Sequence, residues 1–217
     1  MTKTTIIERL CASSVLGIIR IEEEDALLRA VEALHQGGLN CVEITMTCPG
    51  ALGAIERVSR ELTSVTMGAG TVLDGATARQ AILAGARFLV TPTVELDVIE
   101  MARRYGVPVI TGAMTPTEIL AAWEAGSDMI KVFPAGVLGP GYLKAVHGPL
   151  PQIPLVPTGG VSEETAPAFI RAGAAMVCAG GWLVDKQAVH EGRFDLLTQR
   201  ARSLLNAVEA AKQEVGR

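Results

Sequence analysis

The sequence predicts an α/β protein, a single (β/α)8 TIM barrel over residues 1–217 with an extra N-terminal helix. Three observations carry that expectation. Short aliphatic runs alternate with longer helical stretches about every 20–25 residues, the spacing of βα units joined by short loops. The joints repeat: 36–42, 83–89, 124–130 and 171–177 each pass from a helical stretch through a glycine into an apolar run. Glycine suits the left-handed residue that closes a helix. The 217 residues are also 49% hydrophobic but only 4% aromatic, so the core must be aliphatic, as it is around buried parallel strands. The length falls a little below the ~250 residues usual for this barrel, which leaves room for few insertions. A doubly wound open sheet is the alternative, but no G-x-G-x-x-G follows the first apolar run.

Glu8 and Arg9 precede that first run, which Arg20 closes. It is too short for the apolar region of a signal peptide and lacks a small-residue cleavage site. A strand over 15–20 explains it better. Further strands are expected over 41–45, 66–69, 88–90, 109–111, 129–132, 155–157 and 176–179. Helices fill the intervals, and one lies at each end of the chain. Tyr105-Gly106-Val107 is a looser copy of the helix-closing glycine, and Ser162 is expected to cap the helix after the seventh strand. Nothing resembles a linker, so one domain is expected.

A net charge of −4 gives no electrostatic footprint for nucleic acid, and no run of like charges suggests a tail or a membrane-binding helix. No segment reaches the roughly 18 apolar residues that span a bilayer. A soluble, cytoplasmic protein acting on a small molecule is expected. Cys11, Cys41, Cys48 and Cys178 form no C-x-x-C pair and read as small core residues in a reducing compartment. His35, His147 and His190 are far apart in sequence, which argues against a zinc site.

Lys131 stands out. Of the five lysines it alone lies within an apolar strand-like run, Met129-Ile130-Lys131-Val132-Phe133-Pro134. Lysine is almost never buried without a partner. Desolvation disfavours the ammonium, and a neutral amine in a dry pocket attacks carbonyl carbon to begin Schiff-base chemistry. A structural ion pair or a lysine reaching out to water are the bland alternatives. Glu43 is the second such charge, in Cys41-Val42-Glu43-Ile44-Thr45. Alternation puts Cys41, Glu43 and Thr45 on one face and Val42 and Ile44 on the other. With the aliphatic pair toward the helices, Glu43 points into the barrel. Even-numbered strands share interior layers, so Glu43 and Lys131 should approach each other. A carboxylate beside an amine nucleophile is equipped to move protons.

Glycines mark the ends of three strands. Gly68-Ala69-Gly70-Thr71 ends the third, Thr158-Gly159-Gly160 the seventh and Gly180-Gly181 the eighth. Paired glycines after the last two strands of this barrel form its usual phosphate site, with backbone N–H groups and a helix N-terminus as donors.

Together these residues resemble the 2-keto-3-deoxy-6-phosphogluconate (KDPG) and 2-keto-4-hydroxyglutarate (KHG) aldolases. The resemblance runs nearly end to end, through Gly17-Ile18-Ile19-Arg20, Val42-Glu43-Ile44-Thr45, Gly68-Ala69-Gly70-Thr71-Val72, Thr91-Pro92, Thr115-Pro116-Thr117-Glu118, Ile130-Lys131-Val132-Phe133-Pro134, Pro157-Thr158-Gly159-Gly160-Val161 and Gly181-Trp182-Leu183. It implies a class I aldolase, homotrimeric, with no metal or other cofactor. It puts the Schiff-base lysine on Lys131 and the acid/base glutamate on Glu43. Substrate contacts fall on Gly70, Thr71, Pro92, Phe133 and Thr158, and phosphate contacts on Gly159, Gly160, Gly180 and Gly181. Two positions depart from the pattern. Thr47 stands where many members have an arginine that holds substrate, which shifts carboxylate binding toward Thr71, backbone N–H groups or Arg20. Gly181 stands where many have serine.

The expected reaction is cleavage of 2-keto-3-deoxy-6-phosphogluconate to pyruvate and glyceraldehyde 3-phosphate, with 4-hydroxy-2-oxoglutarate as a second substrate giving pyruvate and glyoxylate. The alternatives are an aldolase for another 2-keto-3-deoxy sugar acid, a phosphosugar isomerase or epimerase with Glu43 as base, and a phosphosugar-binding module with an inert Lys–Glu pair.

Overall fold

A computed structural model of the chain describes residues 1–216. Eight parallel strands follow one another around a sheet: β1 (Val15–Ile19), β2 (Cys41–Thr45), β3 (Thr66–Gly70), β4 (Leu89–Val90), β5 (Val109–Ala113), β6 (Met129–Val132), β7 (Leu155–Pro157) and β8 (Val177–Ala179). β8 pairs with β1, and a parallel bridge between Thr158 and Cys178 joins the β7 and β8 ends. The sheet therefore closes into the expected barrel. The strands begin and end within two residues of their expected bounds. β5 runs on through Gly112 and Ala113, because β6 continues beside it and Gly112 pairs with Lys131.

The helices are α1 (Lys3–Ser13), α2 (Ala26–Gln36), α3 (Ala51–Glu61), α4 (Gly75–Leu83), α5 (Leu96–Tyr105), α6 (Pro116–Ala125), α7 (Ala135–Leu138), α8 (Pro140–His147), α9 (Ala166–Arg171), α10 (Lys186–His190) and α11 (Phe194–Glu214). The joint glycines behave as their chemistry demands. Gly38, Gly85, Gly106, Gly126 and Gly173 all have positive φ. Thr115 and Glu118 form a reciprocal capping box at the start of α6. Ser162 does not cap α9, contrary to expectation. A turn over 163–165 intervenes, closed by Ala166 N–H to the Ser162 carbonyl, and α9 begins only at Ala166.

Strand alternation sorts the core into two layers. Val15, Ile19, Val42, Ile44, Met67, Leu89, Ile130, Leu155 and Val177 face the surrounding helices. Leu16, Ile18, Cys41, Phe88, Val90, Ile110, Met129, Val156, Met176 and Cys178 fill the barrel, and Ile6 and Leu10 of α1 join them. The Cys41 thiol points to the Arg9 carbonyl at 3.7 Å, so α1 lies across the N-terminal mouth. Cys41, Cys48 and Cys178 are buried as expected, whereas Cys11 is exposed. It sits on α1, whose buried face is Ile6 and Leu10. No described helix is long and apolar enough to cross a membrane.

Candidate active site

Lys131 is 3% exposed. Its inward direction follows from alternation with Ile130 and Val132, which pack outward. Its Nζ lies 5.1 Å from the centre of the Phe133 ring. Both residues face a cavity of about 710 Å³. Arg20, Thr158, Gly159, Gly160, Gly180 and Gly181 share the wall, so the ends of β1, β6, β7 and β8 meet there. The three charged residues on the wall, Arg20, Lys131 and Lys186, are all basic. A cavity of that sign suits an anionic ligand.

Glu43 is 1% exposed, and neither carboxylate oxygen has a hydrogen-bond partner among the described residues. Burial pushes its carboxyl above the usual carboxylate range, while the positive charges of Lys131 and then Arg20 pull the other way. Glu43 and Lys131 are thus electrostatic neighbours, as alternation predicted. Yet Lys131 forms no ion pair within 4.0 Å among the described residues. A Lys–Glu pair retained for structure needs contact and saturated hydrogen bonds to offset desolvation. This pair has neither. Cys178 on β8 completes the layer: burial, and next the Glu43 charge, push its thiol up to about 12. Residues of β2, β6 and β8 therefore feel one another's charge across the barrel interior, as residues of alternate strands do in a barrel.

The residues expected at the site divide into two groups. Arg20, Lys131, Phe133, Thr158 and the two glycine pairs line the cavity. Glu43, in the middle of β2, and Thr47, Gly70, Thr71 and Pro92, at or just past strand ends, lie off its wall. Gly70 makes room for Glu43, since a Cβ there would stand 2.3 Å from Glu43 Oε1. Gly112, beside Lys131 in register, makes room for the Pro92 carbonyl in the same way, at 2.2 Å. Thr71 holds φ 55°. That value is uncommon for a β-branched residue and is a mark of functional strand ends. The Thr47 hydroxyl is engaged with Thr45 Oγ1 at 2.9 Å.

Ile18, Val161, Ser162, Trp182, Val184 and Lys186 also line the cavity and were not expected as site residues. Alternation along β1 would have found Ile18, because Leu16 and Ile18 share a face. Nothing local marks Lys186, an exposed lysine at the start of α10.

Comparison with known proteins agrees with this geometry. A family model described as KDPG and KHG aldolase matches residues 6–200. The chain is 37% identical over 205 residues to the 2-dehydro-3-deoxy-phosphogluconate aldolase of Pseudomonas aeruginosa, covering 94% of this chain and 93% of that one. It is 30% identical over 211 residues to the KHG/KDPG aldolase of Escherichia coli K12, covering 97% and 98%. A crystal structure of KDPG aldolase from Legionella pneumophila, with pyruvate captured as a covalent carbinolamine, superposes with a TM-score of 0.84 at 28% identity. That match covers 94% of this chain and 98% of the other.

Proposed function

The chain belongs to the KDPG and KHG aldolase family and is an aldolase, a lyase; from that premise we propose that it cleaves 2-keto-3-deoxy-6-phosphogluconate, and also 4-hydroxy-2-oxoglutarate, through a Schiff base on Lys131. The observation that carries this reading is the interior pair. A buried lysine faces a cavity whose charged lining is all basic, and a buried carboxylate without hydrogen-bond partners lies within reach of its charge.

The Lys131 amine attacks C2 of the keto acid to give a carbinolamine, and loss of water leaves a protonated imine. Glu43 takes the proton of the C4 hydroxyl. The C3–C4 bond breaks, its electron pair moves toward the iminium nitrogen, and the aldehyde product leaves: glyceraldehyde 3-phosphate or glyoxylate. Glu43 returns its proton to the enamine carbon. Water then releases pyruvate and the free amine. A carboxyl with a raised pKa suits both directions of transfer, because acid/base efficiency is greatest when the pKa lies near the working pH. Arg20, Thr47, Gly70, Thr71, Pro92, Phe133 and Thr158 are assigned to holding the keto acid. Backbone N–H groups of the glycine pairs at 159–160 and 180–181 are assigned to the phosphate.

We also infer that the chain works as one domain, as a cytoplasmic homotrimer. Exposed Leu73, Leu96, Met114 and Val137 follow the consecutive strands β3 to β6 and offer apolar surface for subunit contact. The cysteines are all free, which fits a reducing compartment.

Incubation with pyruvate and borohydride tests the central assignment. The added mass is expected on Lys131, and Lys131→Met is expected to fold normally without turnover. Label on Lys144, or no label at all, overturns it.

A further inference from the structure

We propose that Lys186 is a specificity-determining residue that anchors the distal anion of the substrate and is held in reserve by Glu22; this deepens the aldolase reading and rests on it. Lys186 lies on the cavity wall with Gly180 and Gly181, beside the ends of β1 and β8. The main chain that carries it is fixed. Asp185 accepts a hydrogen bond from the Ala188 N–H at 2.9 Å, and Arg200 of α11 donates to the Trp182 carbonyl and lies 5.5 Å over its ring.

The side chain, in contrast, is free to move. Its partner is Glu22 at 3.4 Å, and the two side chains are 63% and 85% exposed. Exposed ion pairs of this kind add little stability and are screened by salt. A dianion in the cavity offers the ammonium more charge and more acceptor oxygens than one exposed carboxylate. Gly181 supplies the space. A Cβ there would meet nothing within 4 Å, and the residue has no positive φ, so neither packing nor backbone demands glycine. Its lack of a side chain leaves open volume beside the peptide groups that face the anion.

This arrangement predicts opposite effects for the two partners. Lys186→Gln should raise KM for the phosphorylated substrate about 10-fold. The value of kcat should stay within about twofold, because the contact is equal in ground and transition states. Lys186→Arg should restore most of the affinity. Glu22→Gln should lower KM by freeing the lysine. Inorganic phosphate, titrated against Trp182 fluorescence, should bind more weakly to Lys186→Gln and more tightly to Glu22→Gln. Pyruvate trapping should be unchanged in both, since pyruvate lacks the distal anion.

Unchanged phosphate affinity in Lys186→Gln overturns the proposal, as does a KM rise of equal size for an aldol substrate with no distal charge. If the wild type fails to trap pyruvate, the aldolase reading falls, and the phosphate titration still decides the role of Lys186.

Discussion

Glu43 combines two properties that single residues rarely share: full burial and an unpartnered carboxylate. Its replacement separates two steps of the chemistry. Glu43→Gln should still form the imine, because Lys131 supplies that nucleophile, while turnover falls at least about 10²-fold. Pyruvate trapping and steady-state kinetics on the same sample check this. The variant also has a thermal signature. With its pKa raised by burial, Glu43 keeps its proton in the folded state over a range where the unfolded chain has lost it. That favours folding at low pH, and the advantage is lost as pH rises through the folded-state value. Glutamine cannot ionise. The melting temperature of Glu43→Gln should therefore rise relative to wild type as pH climbs above the ordinary carboxylate range and level off once the buried carboxyl has ionised. A constant difference would mean that Glu43 is not desolvated. Lys131 and Glu43 were legible in the sequence for one physical reason: a charge inside an aliphatic strand is conspicuous because burying it is costly. Lys186 was not legible. Its position on the wall depends on how β1 and β8 meet, and no local pattern records that.

Among the elements, β3 and β5 show how a barrel spends its glycines. At Gly70 the nearest atom to an added Cβ is the movable end of Glu43, at 2.3 Å. At Gly112 it is the Pro92 main chain, at 2.2 Å. The two alanine variants should fail differently. Gly70→Ala should remain well folded but displace the carboxylate and reduce kcat on the order of 10²-fold, the usual effect of a displacement near 1 Å. Gly112→Ala should destabilise by about 1–3 kcal/mol, since backbone must move. Melting curves alongside kcat separate the cases, and equal loss of stability in both would refute the distinction. α1 plays an opposite role at the far mouth, where Leu10 is fully buried against the interior residues. Leu10→Ala should cost about 2–5 kcal/mol by chemical denaturation. Activity at 25 °C should be retained, because Lys131 opens to the cavity at the other end. Strand bounds were legible to within two residues because each strand is a short aliphatic run between helical stretches. The late start of α9 was not, because the Ser162 hydroxyl accepts from the Thr165 N–H at 3.4 Å and so caps the turn ahead of the helix rather than the helix itself.

For the whole molecule, the thiols report how the barrel opens. Burial pushes Cys41 up to about 11 and Cys178 up to about 12, so both are neutral thiols at pH 8. Cys41 and Cys178 lie inside the barrel, and Cys48 is buried outside it. Alkylation of the native protein should label exposed Cys11 promptly. Cys41 and Cys178 should react only at the rate of global opening and with equal protection, because the interior cluster links them. Mass spectrometry of timed samples checks this, and early labelling of Cys178 would show that the barrel opens locally at β8.

By itself the sequence determined the eight-strand barrel, the inward faces of β2 and β6, and the pairing of a lysine with a carboxylate. Each follows from local periodicity and from the cost of burying charge, which act within a few residues. Only the tertiary structure decided that Glu43 and Lys131 feel each other's charge without forming an ion pair. It alone decided that Gly70 and Gly112 clear space for Glu43 and Pro92, and that Arg20 and Lys186 face the same cavity. These are relations between strands distant in the chain. They depend on barrel register and closure, which accumulate over the whole sheet and leave no mark on any single segment.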